Sequence, residues 1–340
     1  MKNPAICHRL ACVLLALSAL SAQAREEALI LDAGFKPAEL AGTLMKSSTD
    51  AREVRGLKRV AITGFDVEFV TKGAASASAT EIGRSGSAST SVYVTLVGVA
   101  EPDFQAIVDQ LYAEFVRDVQ ASGIEVVPAA QLMASGTYRK MAAGGSPAPH
   151  KKSGGGEWST VFTPEGRPVM GLSLQSKGVL GAFGGLASMS GAIFDNIELQ
   201  KELDATLLTV RMVVKFVDLA SSSSSFLGRI SGTASVTGKV SPTIAAGATQ
   251  MSLQSALGGA QFGLQRPLQI DAAAIPEIKD VSSVAGNIGL AVLSLAIGKG
   301  GSATAVEKEA VADPVRYREL VSAGLGNVRE LMVERIKGVR

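Results

Sequence analysis

In residues 59–71, RVAITGFDVEFVT, apolar side chains recur at every second position, the period of a strand with one buried face. The phase slips at Gly64: Val60 and Ile62 precede it, whereas Phe65, Val67 and Phe69 follow it, so a β-bulge is predicted there. The small-residue stretch GAASASATEIGRSGSASTS separates this strand from another over 91–99. Together they predict a hairpin over 72–99 whose tip is mobile or close to a membrane. At Glu101-Pro102-Asp103 the period changes. Phe104, Ile107, Val108, Leu111, Phe115 and Val119 fall on one face of a helix, acids sit at its positive end and Gly123 is placed to stop it. A strand over 124–127 follows directly.

The clearest strand pattern is 205–219, ATLLTVRMVVKFVDL, with Leu208, Val210, Met212, Val214 and Phe216 facing one way and Thr209, Arg211 and Lys215 the other. Residues 230–244 alternate more strictly still, but a single strand of that length would reach about 50 Å, beyond the usual range. The expectation is therefore a hairpin turning at Thr237-Gly238-Lys239, with Val236 opposite Val240 and Gly232 opposite Ile244. An outer-membrane hairpin also needs alternation, yet the segment 229–253 carries no aromatic residues for the interfaces, which favours an ordinary half-buried hairpin. The apolar run 288–297 is too short to span a bilayer as a helix and ends at GKGGS. Asp313-Pro314 opens a terminal helix over 313–337 with Tyr317, Leu320, Val321, Val328 and Leu331 as its buried stripe.

Elsewhere the signal is weaker. Residues 25–56 read as a lead-in holding a short strand at 28–31 and a short helix at 37–46, with the ordered domain starting near Leu57. Residues 142–157, AAGGSPAPHKKSGGGE, read as a flexible surface loop, and the uncharged stretch 178–194 as a packed loop or broken helix. The predicted fold class is α+β: a mixed or mainly antiparallel sheet, amphipathic helices packed on it, and long Gly-, Ser- and Ala-rich hairpin loops, in one domain over 57–340.

The first residues bring in a compartment. Lys2, His8 and Arg9 form a basic start, Leu10 to Leu20 is apolar, and Ala22-Gln23-Ala24 is an A-x-A site, so residues 1–24 are expected to be a signal peptide cut between Ala24 and Arg25. A membrane anchor needs about 20 apolar residues, and this run is stopped by Arg25, Glu26 and Glu27. Both cysteines, Cys7 and Cys12, leave with it, and neither stands where a lipoprotein signal places its acylated Cys. Lys2 and Arg9 leave too, so the 33 basic residues fall to 31 against 31 acidic ones. A neutral chain is a poor candidate for nucleic acid, whose binding rests on Lys and Arg neutralising phosphates.

Few residues carry chemistry. Without cysteine, and with His150 the only histidine beyond the leader, thiol catalysis is excluded and a Ser-His-Asp set or zinc site is not expected; His150 reads as a solvated loop residue. Leu293 stands where a phosphate loop needs glycine ahead of Gly298-Lys299, and Gly300 follows where Ser or Thr is required. The glycines between 178 and 191 lack the dinucleotide fingerprint, so no cofactor is expected. Asp66 and Glu68 project from one face of the first strand; a carboxylate pair can do glycosidase chemistry in a cleft, but on a strand it usually marks the wet side. Arg139-Lys140 and Lys151-Lys152 read as solubilising pairs.

RVAITGF near the domain start, SGIEVV after the helix, and the late strand ATLLTVRMVVKFVDLAS resemble the curli-secretion pore proteins and related envelope proteins of CsgG type. That resemblance implies an α/β periplasmic domain with two membrane hairpins, assembled into an outer-membrane ring. The lipidated Cys and the aromatic anchors of that pattern are missing here, and no site residue carries over. The expected function is a non-enzymatic component of the cell envelope, in the periplasm or outer membrane, that assembles with itself or binds another envelope protein. The alternatives are an envelope hydrolase using acidic residues and a soluble periplasmic ligand-binding protein.

Overall fold

The computed structural model describes residues 28–32, 34–48, 51–80, 87–170, 194–221, 233–256, 258–281, 293–299 and 303–340. The signal-peptide segment, its Ala24/Arg25 cut, both cysteines, the serine run after Ser221 and the stretch 178–193 lie outside them. The chain runs β1 (Leu29–Ile30), α1 (Pro37–Leu44), β2 (Met45–Ser47), β3 (Arg59–Thr80), β4 (Ser87–Val97), α2 (Glu101–Ala121), β5 (Glu125–Val126), α3 (Ala129–Ala134), α4 (Gly136–Ala143), β6 (His150–Gly154), β7 (Glu157–Phe162), α5 (residues 194–203), β8 (Thr206–Ser221), β9 (Thr233–Ile244), β10 (Gln250–Ser255), β11 (Gly258–Leu264), β12 (Leu268–Gln269), β13 (Glu277–Asp280), β14 (Leu293–Lys299), β15 (Ala303–Val311) and α6 (Pro314–Lys337).

The fold is α+β, with a mixed, mostly antiparallel curled sheet. Its main path is β1-β12-β9-β8-β3-β4-β15-β13. β3 lies at its centre, parallel to β8 and β5 and antiparallel to β4 and β7. The register between β3 and β8 shifts between Ile62 and Gly64, which is where the change of apolar phase placed a bulge. The shift lets Ile62 and then Phe65, Val67 and Phe69 enter one core although they differ in parity.

Helices α2 and α6 cover that face. The stripe of α2 from Phe104 to Val119 is buried as the spacing required, and Phe104 meets Phe69, Phe162 and Tyr317 at ring-centroid distances of 4.6, 5.6 and 6.0 Å. Each such ring stabilises the fold by about 2–3 kcal/mol through removal of apolar area from water. Ala100 cannot cap α2 with its side chain; instead its backbone N–H donates to Asp103 Oδ2 at 3.0 Å. Gly123, with φ of 81°, ends the segment in the left-handed region, and a Cβ there would come within 2.8 Å of the Arg340 guanidinium. Asp313 caps α6 by accepting from Arg316 N–H at 2.8 Å.

On the opposite face a smaller core of Ala61, Val127, Leu132, Tyr138, Leu199, Leu203 and Leu207 joins the start of β3 and β8 to α3, α4 and α5. The sheet is therefore covered on both sides at its base.

Several expectations change. The lead-in is built into the domain: β1 pairs with β12, β2 with β11, and Ala41, Leu44, Met45 and Val54 enter the main core. The small-residue excursion of the first hairpin is largely strand, since β3 and β4 pair from Lys72↔Thr95 to Thr80↔Ser87. Residues 142–157 are not one loop. α4 ends at Ala143, and β6 and β7 pair as a hairpin turning through Gly155 and Gly156. Nor do residues 233–244 fold back at Thr237-Gly238-Lys239. They form the single strand β9, antiparallel to β8 through Val214↔Ile244 to Ser221↔Val236, and β10 continues along the same edge of β8. A long strand is stable here because β8 is longer still, 16 residues against 12, and β14 pairs with the far part of β9, giving its backbone partners on both sides.

Candidate functional site

Alternation along β3 sends Phe65, Val67 and Phe69 to the helix side and Asp66 and Glu68 to the other. That other side is not wet. Asp66 is 8 % exposed and Glu68 6 %. Three elements distant in sequence close over them: β8 alongside, which places Arg211 opposite Asp66 in the parallel register, and the hairpin β6–β7, which brings Lys152 and Ser159.

Glu68 is the hub. Its Oε1 accepts from Ser159 Oγ at 2.7 Å, while its Oε2 takes both Arg211 Nη2 at 2.9 Å and Lys152 Nζ at 2.6 Å. Burial alone pushes this carboxyl up, but the hydrogen bonds from Lys152, Ser159 and Arg211 outweigh it and hold the group below its ordinary range. Asp66 behaves in the opposite way. Its Oδ1 is buried and accepts no hydrogen bond, and burial pushes it up to about 7, with Arg211 only partly opposing the rise. Two residues apart on one strand, the two acids are thus driven in opposite directions.

Towards the base of the sheet, Tyr138 of α4 is half of a second small cluster. Burial raises its phenol, and the field of Arg167 opposes this. Arg167 lies over the Tyr112 ring at 4.9 Å, donates to Tyr112 Oη at 3.1 Å and pairs with Glu165 at 2.8 Å. Between them, beside Thr63 and Gly64 of β3, is a cavity of about 10 Å³ lined also by Thr163 and Pro168. That is the room of a single water molecule.

A wider opening, about 590 Å³, lies on the far side of the molecule between α2 and α6, where Gln110, Glu114, Arg318, Ser322, Asn327 and Arg329 line it. Arg329 is held there by Glu114, by Asp118 at 2.9 Å and by Glu330 at 3.6 Å.

The residues singled out from the sequence are therefore distributed unevenly. Asp66 and Glu68 come together, buried rather than solvated. His150 stands at the start of β6 opposite Val161, in a strand rather than a loop. The basic pairs are engaged individually: Lys151 with Glu101 at 2.8 Å, Lys152 with Glu68, and Lys140 with Asp195 at 2.7 Å. Arg211 and Ser159 were missed as partners; the alternation of 205–219 had put Arg211 on the correct face but could not show what shared it. Among the described residues no group of three or more His, Cys, Asp or Glu side chains is placed to hold a metal ion, and no helix is long and apolar enough to cross a membrane, which leaves strands out of account. No known protein family, curated protein or solved structure matches the chain.

Proposed function

We propose that this protein is a non-enzymatic component of the cell envelope, exported to the periplasm or outer membrane, that works by assembling with itself or by binding another envelope protein. The observation that carries the non-enzymatic part is the Glu68 hub. Its oxygens are taken by Ser159, Lys152 and Arg211, so this carboxylate fastens β3, β6–β7 and β8 to one another. Export is supported by the apolar run Leu10 to Leu20 followed by Ala22-Gln23-Ala24. The three segments that resemble CsgG-type envelope proteins fall in β3, around β5 and in β8, with β5 and β8 each paired to β3, and this supports an envelope role of that type. Native mass spectrometry of the protein from its producing cell tests the reading. Oligomers or a complex with a second envelope protein are expected; a monomer alone, free of membrane fractions, contradicts it.

One observation favours a second reading, an envelope hydrolase using acidic residues. Asp66 raised and Glu68 lowered is the divergence expected of a general acid and its ionised partner. Neither acid lines the cavity of about 10 Å³ between Tyr138 and Arg167, and that cavity admits water but no substrate. Hydrolytic activity lost in both Asp66→Asn and Glu68→Gln, with the fold intact, is the result that establishes this alternative.

A further inference from the structure

Arg211 stands between two carboxylates. The strand register sets it directly opposite Asp66, yet its Nη2 donates to Glu68 Oε2, two residues along β3. The same Glu68 oxygen also takes Lys152, so two cations crowd one acceptor while Asp66 Oδ1 nearby is buried and accepts nothing. Lys152 matters beyond the pair. β6 is hydrogen-bonded only to β7 among the described residues, and Lys152–Glu68 is the ion pair that ties it across β7 to β3.

We infer that Asp66 is a proton-operated control of the β6–β7 hairpin: losing its proton draws Arg211 away from Glu68, leaves that oxygen to Lys152 and so tightens β6 on the sheet. With Asp66 neutral, its own strand offers Arg211 a single anion, Glu68, and Lys152 must share it. With Asp66 ionised, two anions face two cations, and Arg211 has a second partner directly across the ladder. The charged and titratable groups around Asp66 are few: Arg211 from β8, Glu68 on its own strand, Lys152 from β6, Tyr138 from α4, and Arg167 behind Tyr138. Burial brings Asp66 to about 7, so the change falls within the neutral range rather than in acid. An edge strand opens locally far more easily than the whole protein unfolds, so the hairpin can respond while the core stays closed.

Hydrogen exchange of the intact protein, followed by mass spectrometry from pH 5.5 to 8.5 and corrected for the intrinsic pH dependence of exchange, reads this directly. Protection of residues 150–154 is expected to rise about fivefold across that range, the effect of one charge-assisted bond gained. In D66N it should be flat. K152M, altered at a half-buried side chain, should be flat as well, with β6 poorly protected throughout. The inference is overturned if wild-type protection is flat or falls with pH, or if either variant retains the rise. Should D66N fail to fold, K152M decides alone.

Discussion

Replacing Asp66 by Asn exchanges a buried, titrating carboxyl for a neutral group of the same shape, and its effect on stability must depend on pH. The folded protein holds a proton on Asp66 up to about pH 7, whereas the unfolded chain releases it near the ordinary value of 3.8. Between those values the folded state binds a proton that the unfolded state does not, so this group's contribution to stability falls as pH rises and is exhausted above about 7. From pH 5 to 8.5 the loss is about 3 kcal/mol, at about 1.4 kcal/mol per unit of pH over the steep part. Asp66→Asn removes that slope. Urea unfolding of both proteins at half-unit steps should show the difference, variant minus wild type, growing by about 3 kcal/mol in favour of the variant. Glu68 does not blur the comparison: held below its ordinary value, it contributes stability that is present above 4.5 and lost only as pH falls through its folded value. A difference that changes by less than about 1 kcal/mol over this range would refute the buried, unpaired state assigned to Asp66.

Other substitutions test the remaining parts. Glu68→Gln leaves Arg211 and Lys152 facing each other without their shared anion and should cost about 3–5 kcal/mol, read as a lower urea midpoint with an unchanged slope. Phe104→Ala empties the meeting point of Phe69, Phe162 and Tyr317 and should cost about 3–5 kcal/mol by the same assay. Gly156→Ala places a Cβ within 2.5 Å of the Ala74 carbonyl oxygen at a residue with φ of 82°; hydrogen exchange should show β6–β7 loosened while α2 and α6 stay protected.

What could be read from the sequence was what is local. The bulge at Gly64 shows as a change of apolar phase within one strand, and α2 shows as a stripe with its own stop at Gly123. The sides of β3 and β8 were also legible, because alternation fixes which residues share a face. What covers a face was not. Asp66 and Glu68 were expected to be wet because their strand alone says nothing of Ser159, 91 residues away from Glu68, or Arg211, 143 residues away. β9 was expected to fold back because no local pattern reveals that β8 and β14 supply partners along its length. The short strands β10 to β13 and the helices α3 to α5 carry too little periodicity of their own; they are held by the faces they cover.

The central claim is an envelope component, and fractionation of the producing cell tests it most directly. The protein is expected in the periplasmic or outer-membrane fraction, with a mature chain beginning at Arg25. Recovery from the cytoplasm with residues 1–24 still attached would contradict it.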